Sequence, residues 1–246
     1  MPIQMPRDLV GSGRSGLVWQ LLAGVIQTPI PTRSPPVRVL DCGGGSGSFA
    51  VPLAQLGATV TVVDISVDAL ATLSRRADEA GVASAVVPIQ GDVESLADAI
   101  GVATFDLVLA HGVLAVVDDP AATFAAIVAA IAPDGLLSVL VANPVASVLS
   151  KALAGETIVA LTELRALDSD AKTPGPTAVQ ALCRGAGLIV EQVHGVGVYS
   201  ELVRGGSLEL PGVRDALADL ETESATRSPF AEIAAKVHVL ARRPVG

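Results

Sequence analysis

Between Val37 and Gly47 the chain reads Val-Arg-Val-Leu-Asp-Cys-Gly-Gly-Gly-Ser-Gly, an apolar run that ends on Asp41 and opens into Gly43, Gly44 and Gly45. A glycine loop between a strand and a helix lets a ligand come close to the backbone. The spacing is Asp-x-Gly-x-Gly-x-Gly, with the acidic residue ahead of the glycines. Asp64, followed by Ile65, ends the next apolar run, where a carboxylate can accept both hydroxyls of a ribose. Gly91-Asp92-Val93 closes a third run. Its carboxylate can accept from an adenine amino group while a neighbouring backbone amide reads a ring nitrogen. His111 stands just past a fourth run, at the switch point where open α/β sheets bind ligands. The set describes a site for an adenosine-bearing ligand, with His111 facing its reactive end or a second substrate. Each member also has a purely structural reading. The glycines make a turn, Asp64 can cap the helix that starts near Ser66, and Asp92 can cap the turn after it. His194 and His238 lie inside strand patterns and read as structural.

These residues need strands to carry them. Val37 to Asp41, Thr59 to Asp64, Ala85 to Gln90, Phe105 to Ala110 and Leu136 to Val141 are short, apolar and bounded by turn residues. Ser48 to Leu56, Ser66 to Ala80, Glu94 to Ile100 and Pro120 to Ile131 alternate with them as crossover helices. Such alternation makes right-handed βαβ units and a parallel sheet. After Asn143-Pro144 the alternation lapses. Val145 to Ala186 reads as two or three helices broken by a turn-rich stretch from Asp168 to Pro176. Leu188 to Val198 and Lys236 to Arg242 read as closing strands, joined by a helix at Val213 to Glu221, and pair antiparallel at the edge. Residues 1–36 form an N-terminal helical segment with an amphipathic helix at Leu17 to Ile26. Residues 37–246 form one domain with a helical cap inserted at about 144–187.

Half of the 246 residues are apolar and 17% are charged, which argues against disorder, and Pro133-Asp134 and Asn143-Pro144 interrupt the apolar stretches short of a bilayer span. The start, MPIQMPRDLV, lacks the features of a secretory signal, so a cytoplasmic protein without a membrane partner is expected. Cys42 and Cys183 are too few for a disulfide framework or a metal site and read as core residues. The net charge of −9 disfavours broad binding to phosphate backbones. It is uneven: residues 1–143 carry 6 basic and 13 acidic groups, and residues 144–246 carry 10 and 12. An anionic substrate would therefore dock on the second half.

VLDCGGGSG, VTVVDIS, QGDVESL and FDLVLAHGVL resemble motifs I to IV of the class I S-adenosylmethionine-dependent methyltransferases and span Val37 to Val141. The resemblance implies an α/β fold, a doubly wound, seven-stranded, mostly parallel sheet of the Rossmann-like methyltransferase type with a helical cap. It implies S-adenosyl-L-methionine as cofactor and a methyl acceptor that is a small molecule or a modified nucleoside; from the residue spacing no metal is expected. Over nearly the whole chain the sequence is similar to the bacterial tRNA carboxymethoxyuridine methyltransferases, which esterify a wobble-uridine carboxylate. That similarity rests on Arg14 five residues before Trp19, the triple glycine, His111 followed by Val113-Leu114, and the ending Val237-His238-Val239-Leu240-Ala241-Arg242. It implies cofactor contacts from Arg14, Gly43, Gly44, Asp64, the Gly91–Asp92 turn and His111. Asp41, Gly45, Ile65 and Val93 complete the expected cofactor site. Two departures stand out. Arg165 and Lys172 lie among Glu163, Asp168 and Asp170 where that family has a strongly basic loop, and Gly197 stands where its strand offers an arginine. With the acidic net charge, they leave tRNA a possible but disfavoured partner.

Methyl transfer from a sulfonium is an in-line displacement that chiefly needs alignment. A carboxylate acceptor needs no deprotonation at neutral pH, whereas a phenol or alcohol gains from a base such as His111. His111 is thus the candidate catalytic residue, in a positioning role, and Arg204, Lys151 and Lys172 are candidate clamps for an acid. Two other readings fit the glycine loop and Asp64. One is a regulatory module that binds S-adenosylmethionine without turnover. The other is a nicotinamide oxidoreductase, although Tyr199, the sole tyrosine, has no lysine four residues on.

Overall fold

The computed structural model describes residues 16–28, 36–96, 100, 104–167, 174–202 and 212–245. Seven strands form one sheet: β1 (Arg38–Cys42), β2 (Thr59–Asp64), β3 (Val86–Gln90), β4 (Phe105–His111), β5 (Ile131–Ala142), β6 (Ile189–Val196) and β7 (Lys236–Arg242). Their order is β3-β2-β1-β4-β5-β7-β6. β1 to β5 run parallel, and β7 pairs antiparallel with both β5 and β6. The strands centre on Val, Ile and Leu because both faces of a parallel sheet are covered. Their C-terminal ends converge where the order reverses between β1 and β4, which is where ligands bind in this class of sheet.

Helices cover both faces. α1 (Gly16–Gln27), α2 (Ala50–Gln55) and α3 (Val67–Glu79) bury Trp19, Leu22, Leu53 and Leu73 against Val39, Val60, Leu107 and Leu109. The N-terminal helix is therefore part of the core. On the other face α4 (Pro120–Ala130) and α7 (Pro176–Gly185) bury Phe124, Ile127, Val179 and Cys183 against Leu40, Val108 and Val139. Helix starts follow cap chemistry. Ser66 accepts from the Ala69 amide, Asp119 from the amides of Ala121 and Ala122, and Asn143 from the Val145 amide, with Pro120 and Pro144 just inside their helices.

α5 (Pro144–Leu153) and α6 (Thr157–Ala166) form a pair apart from these layers. No side chain of α5 is buried, and only Ala160 of α6 is. α8 (Val213–Ser224) buries Glu221 and Ser224. Among the described residues no helix is long and apolar enough to cross a membrane.

Two expected elements differ. β5 begins at Ile131, inside the expected helix end, because Ile131 pairs with Phe105 before a register shift that takes Asp134 to φ +60°. The expected helix at Glu94 to Ile100 shows a single 3₁₀ turn at Val93–Ser95, with Leu96 and Ile100 helical and the residues between outside the described set.

Candidate cofactor and acceptor site

The glycine loop leaves β1 with Gly43 at φ +68° and Gly45 at φ +55°, conformations in which a side chain would be strained. Gly44 is required for a different reason. A Cβ there would lie 2.5 Å from the Asp41 carboxylate and 2.9 Å from Val62. Asp41 is thus packed against the loop and almost fully buried. Burial, and secondarily the charge of Asp64, push its carboxyl up to about 7. Cys42 beside it is raised far above the usual thiol range, by burial first and then by Asp41, so it is an inert core thiol.

Asp64 ties the loop to β2. Its Oδ2 accepts the Gly45 amide at 2.9 Å and its Oδ1 accepts the Ser66 amide at 2.8 Å. An ionised carboxylate has about four acceptor positions, so two remain for a diol. Asp92 accepts the Glu94 amide at 2.9 Å, which realises its capping role and leaves its second oxygen. Glu94 in turn accepts the amides of Asp118 and Asp119 at 2.7 and 2.9 Å and fixes the turn beyond β4.

A cavity of about 360 Å³ opens here, lined by Gly43, Asp64, Ile65, Asp92, Val93, Glu94, His111, Gly112, Val113, Val116, Val117 and Asp118. Its volume suits a small organic ligand. Six of the expected residues, Gly43, Asp64, Ile65, Asp92, Val93 and His111, share its wall. Asp41, Gly44, Gly45 and Gly91 are not on that wall. Asp41 and Gly44 build the loop from beneath, Gly45 holds Asp64, and the Gly91 amide donates to the Asp64 carbonyl at 3.1 Å. Arg14 lies outside the described residues, as do the candidate clamps Lys172 and Arg204. Lys151 pairs with Glu156 at 2.9 Å on the surface.

His111 ends β4, where Gly112 turns the chain at φ +79°. Its Nε2 lies 2.8 Å from the Ser138 hydroxyl, and Phe49 packs edge-on against the ring with centroids 4.9 Å apart. Its Nδ1 is buried without a partner among the described residues. Burial, then the positive charge of Lys236, lower its pKa to about 3, so the ring is neutral at physiological pH.

Sequence reasoning missed Glu94 and Asp118 on the wall, and also Ser138 and Lys236 beside His111. Antiparallel pairing brings the first residue of β7, Lys236, opposite Ala142 at the C-terminal end of β5. A strand order, not a motif, places it there.

Residues 40–139 match a family model described as methyltransferase domain. The chain is 28% identical over 242 residues to the tRNA 5-carboxymethoxyuridine methyltransferase of Escherichia coli O157:H7, covering 95% of this chain and 89% of that protein. It is 33% identical over 167 residues to the ubiquinone biosynthesis O-methyltransferase of Paracidovorax citrulli, covering 68% and 69%. In fold it resembles an S-adenosylmethionine-dependent methyltransferase from Mesorhizobium loti, with a TM-score of 0.60 at 16% identity, covering 95% of this chain and 100% of that one.

Proposed function

This chain belongs to the class I S-adenosylmethionine-dependent methyltransferases, and from that premise we propose that its methyl acceptor is a carboxylate, carried by a small molecule or a modified nucleoside. The observation that carries the proposal is His111, a half-buried ring on the cavity wall whose Nε2 is held by the Ser138 hydroxyl and whose pKa is lowered to about 3 by desolvation. General bases work best with a pKa near the operating pH, so this ring is far too weak to take a proton from an alcohol or phenol. It can still donate or accept a hydrogen bond. A carboxylate is already anionic at neutral pH and needs only alignment.

The residues present fit the cofactor: a backbone cradle at Gly43 and open acceptor positions on Asp64 and Asp92. When bound, S-adenosylmethionine supplies an electrophilic methyl group on a cationic sulfonium. In this reading Asp64 holds the ribose hydroxyls, Asp92 and Val93 meet the adenine edge beside Ile65, and Arg14 grips the methionine carboxylate. Asp64, Asp92, Glu94 and Asp118 give the cavity the negative potential that a cationic ligand prefers. His111 orients the acceptor oxygen. Lys236, exposed at the end of β7, adds the positive charge that draws an anion to this side. A relative whose name gives tRNA 5-carboxymethoxyuridine supports a carboxylate-bearing acceptor, while the net charge of −9 favours a free molecule over intact tRNA.

Mass spectrometry of metabolites and tRNA nucleosides from cells with and without the gene tests this. The expected result is loss of a methyl ester on one acid. Loss of a methyl ether instead would assign a hydroxyl acceptor.

A further inference from the structure

The chain contains three histidines, and all three lie in one line across the sheet. Beyond His111, the Ser138 hydroxyl lies 2.8 Å from the Nε2 of His238 as well. The Nδ1 of His238 is 3.5 Å from the Nδ1 of His194, a long link between rings stacked with centroids 5.7 Å apart. Strand register makes the line. Ser138 pairs with Leu109, two residues before His111; His238 pairs with Leu140, two residues after Ser138; and His194 faces His238 directly. Alternation along each strand puts all four side chains on the face that α1 and α2 cover. Ser138 and His238 are fully buried.

A serine hydroxyl has one proton. Lying 2.8 Å from two imidazole Nε2 atoms, it donates to one and accepts from the other. Each neutral ring has one N–H, so the choice at Ser138 decides both tautomers. If Ser138 donates to His111, the His111 proton sits on Nδ1 and His238 is protonated on Nε2. If Ser138 donates to His238, His111 is protonated on Nε2 and its Nδ1 becomes an acceptor. The unpartnered Nδ1 of His111 therefore has a character set by residues that never touch a ligand.

We propose that Ser138 and His238 are positioning residues for methyl transfer, forming with His111 a tautomer relay that makes the His111 Nδ1 a fixed hydrogen-bond donor to the acceptor group. The inference rests on the carboxylate reading, since a carboxylate selects the donor polarity. A carboxylate oxygen aligned by Nδ1–H keeps a lone pair for the incoming methyl group. Ordinary packing of a buried polar cluster would couple the two tautomers as well, but breaking that coupling would then leave methyl transfer unchanged.

The test is long-range ¹H–¹⁵N correlation on the whole chain labelled at histidine, with S-adenosylhomocysteine added as the probe. Three neutral rings are expected, with His111 protonated on Nδ1 and His238 on Nε2. In Ser138→Ala both rings should become tautomer mixtures, and transfer of label from methyl-labelled S-adenosylmethionine into a cell extract of small molecules and tRNA should fall about tenfold, the scale of one hydrogen bond, at unchanged affinity for S-adenosylhomocysteine. Ser138→Thr keeps the hydroxyl and should keep the wild-type pattern and rate. The relay is overturned if His111 and His238 in the wild type share one tautomer, if His111 is protonated on Nε2, or if Ser138→Ala leaves methyl transfer unchanged. Calorimetry of the probe on the same samples reads the cofactor assignment separately, since loss of that assignment registers as absent binding whatever the rings do.

Discussion

The β1–β4 end of the sheet and the α5–α6 pair are built in opposite ways. Around the glycine loop Asp41 packs against Gly44, Asp64 holds two amides, Asp92 holds one, and Glu94 holds two more. In the helical pair, Leu149, Leu153, Ile158, Val159 and Leu164 are exposed, and the chief side-chain bonds tie one helix to the other, Ser147 to Glu163 and Lys151 to Glu156. One region is over-determined, so its residues serve binding and fold together. The other buries only Ala160, so most of its residues can change with little consequence for the sheet.

Four substitutions or conditions would break or sharpen that contrast. Asp64→Ala should have the largest effect. A ribose diol would lose two hydrogen bonds to a charged acceptor, each about 1.5–3 kcal/mol, so affinity for S-adenosylhomocysteine should fall at least a hundredfold by calorimetry. A change below twofold would mean that Asp64 only organises the loop. Gly44→Ala comes next. Its Cβ meets the Asp41 carboxylate and Val62, so overpacking of about 1–3 kcal/mol should appear as loss of both melting temperature and affinity. Retention of both would show that the loop can move aside.

Acidification tests the buried groups. The pKa of His111 is lowered to about 3, and those of His194 and His238 are also lowered by burial, so the unfolded chain binds protons that the folded rings refuse. Their stabilising contribution is complete above the unfolded value of 6.5 and is lost as pH falls below it. Asp41 opposes them. Its pKa is raised from 3.8 to about 7, so its contribution is complete below 3.8 and is lost as pH rises through 7. Melting temperature should fall on acidification from pH 6.5, and Asp41→Asn should steepen the fall by removing the opposing group. A flatter profile in that variant would show Asp41 ionised in the fold.

The smallest effect is expected in the helical pair. Ile158 is 83% exposed, so Ile158→Lys should change stability by no more than about 0.5 kcal/mol and leave cofactor affinity unchanged. A large loss of stability would show that the pair is anchored as firmly as the sheet.

The same contrast explains what the sequence discloses. β2 and β7 are read to the residue and the other strands closely, apart from the start of β5, because apolar runs bounded by glycine and aspartate leave little freedom in a parallel sheet. The glycine loop, Asp64 and His111 are legible because each sits at the end of such a run. Ser138, His238 and Lys236 are not. Ser138 and His238 meet across 100 residues of sequence, and Lys236 comes to lie opposite Ala142, through the antiparallel pairing of β5 and β7. The start of β5 was hidden because Pro133-Asp134-Gly135 reads as a break, whereas the chain crosses it with one positive-φ residue and resumes pairing.

Acceptor chemistry is tested most directly by following methyl-labelled S-adenosylmethionine with the whole chain and a cell extract of small molecules and tRNA, then treating the products with alkali. A methyl ester of a carboxylate hydrolyses and releases its label as volatile methanol, and this is the result the neutral His111 predicts. Label retained in a base-stable ether, amine or carbon-linked product would contradict it.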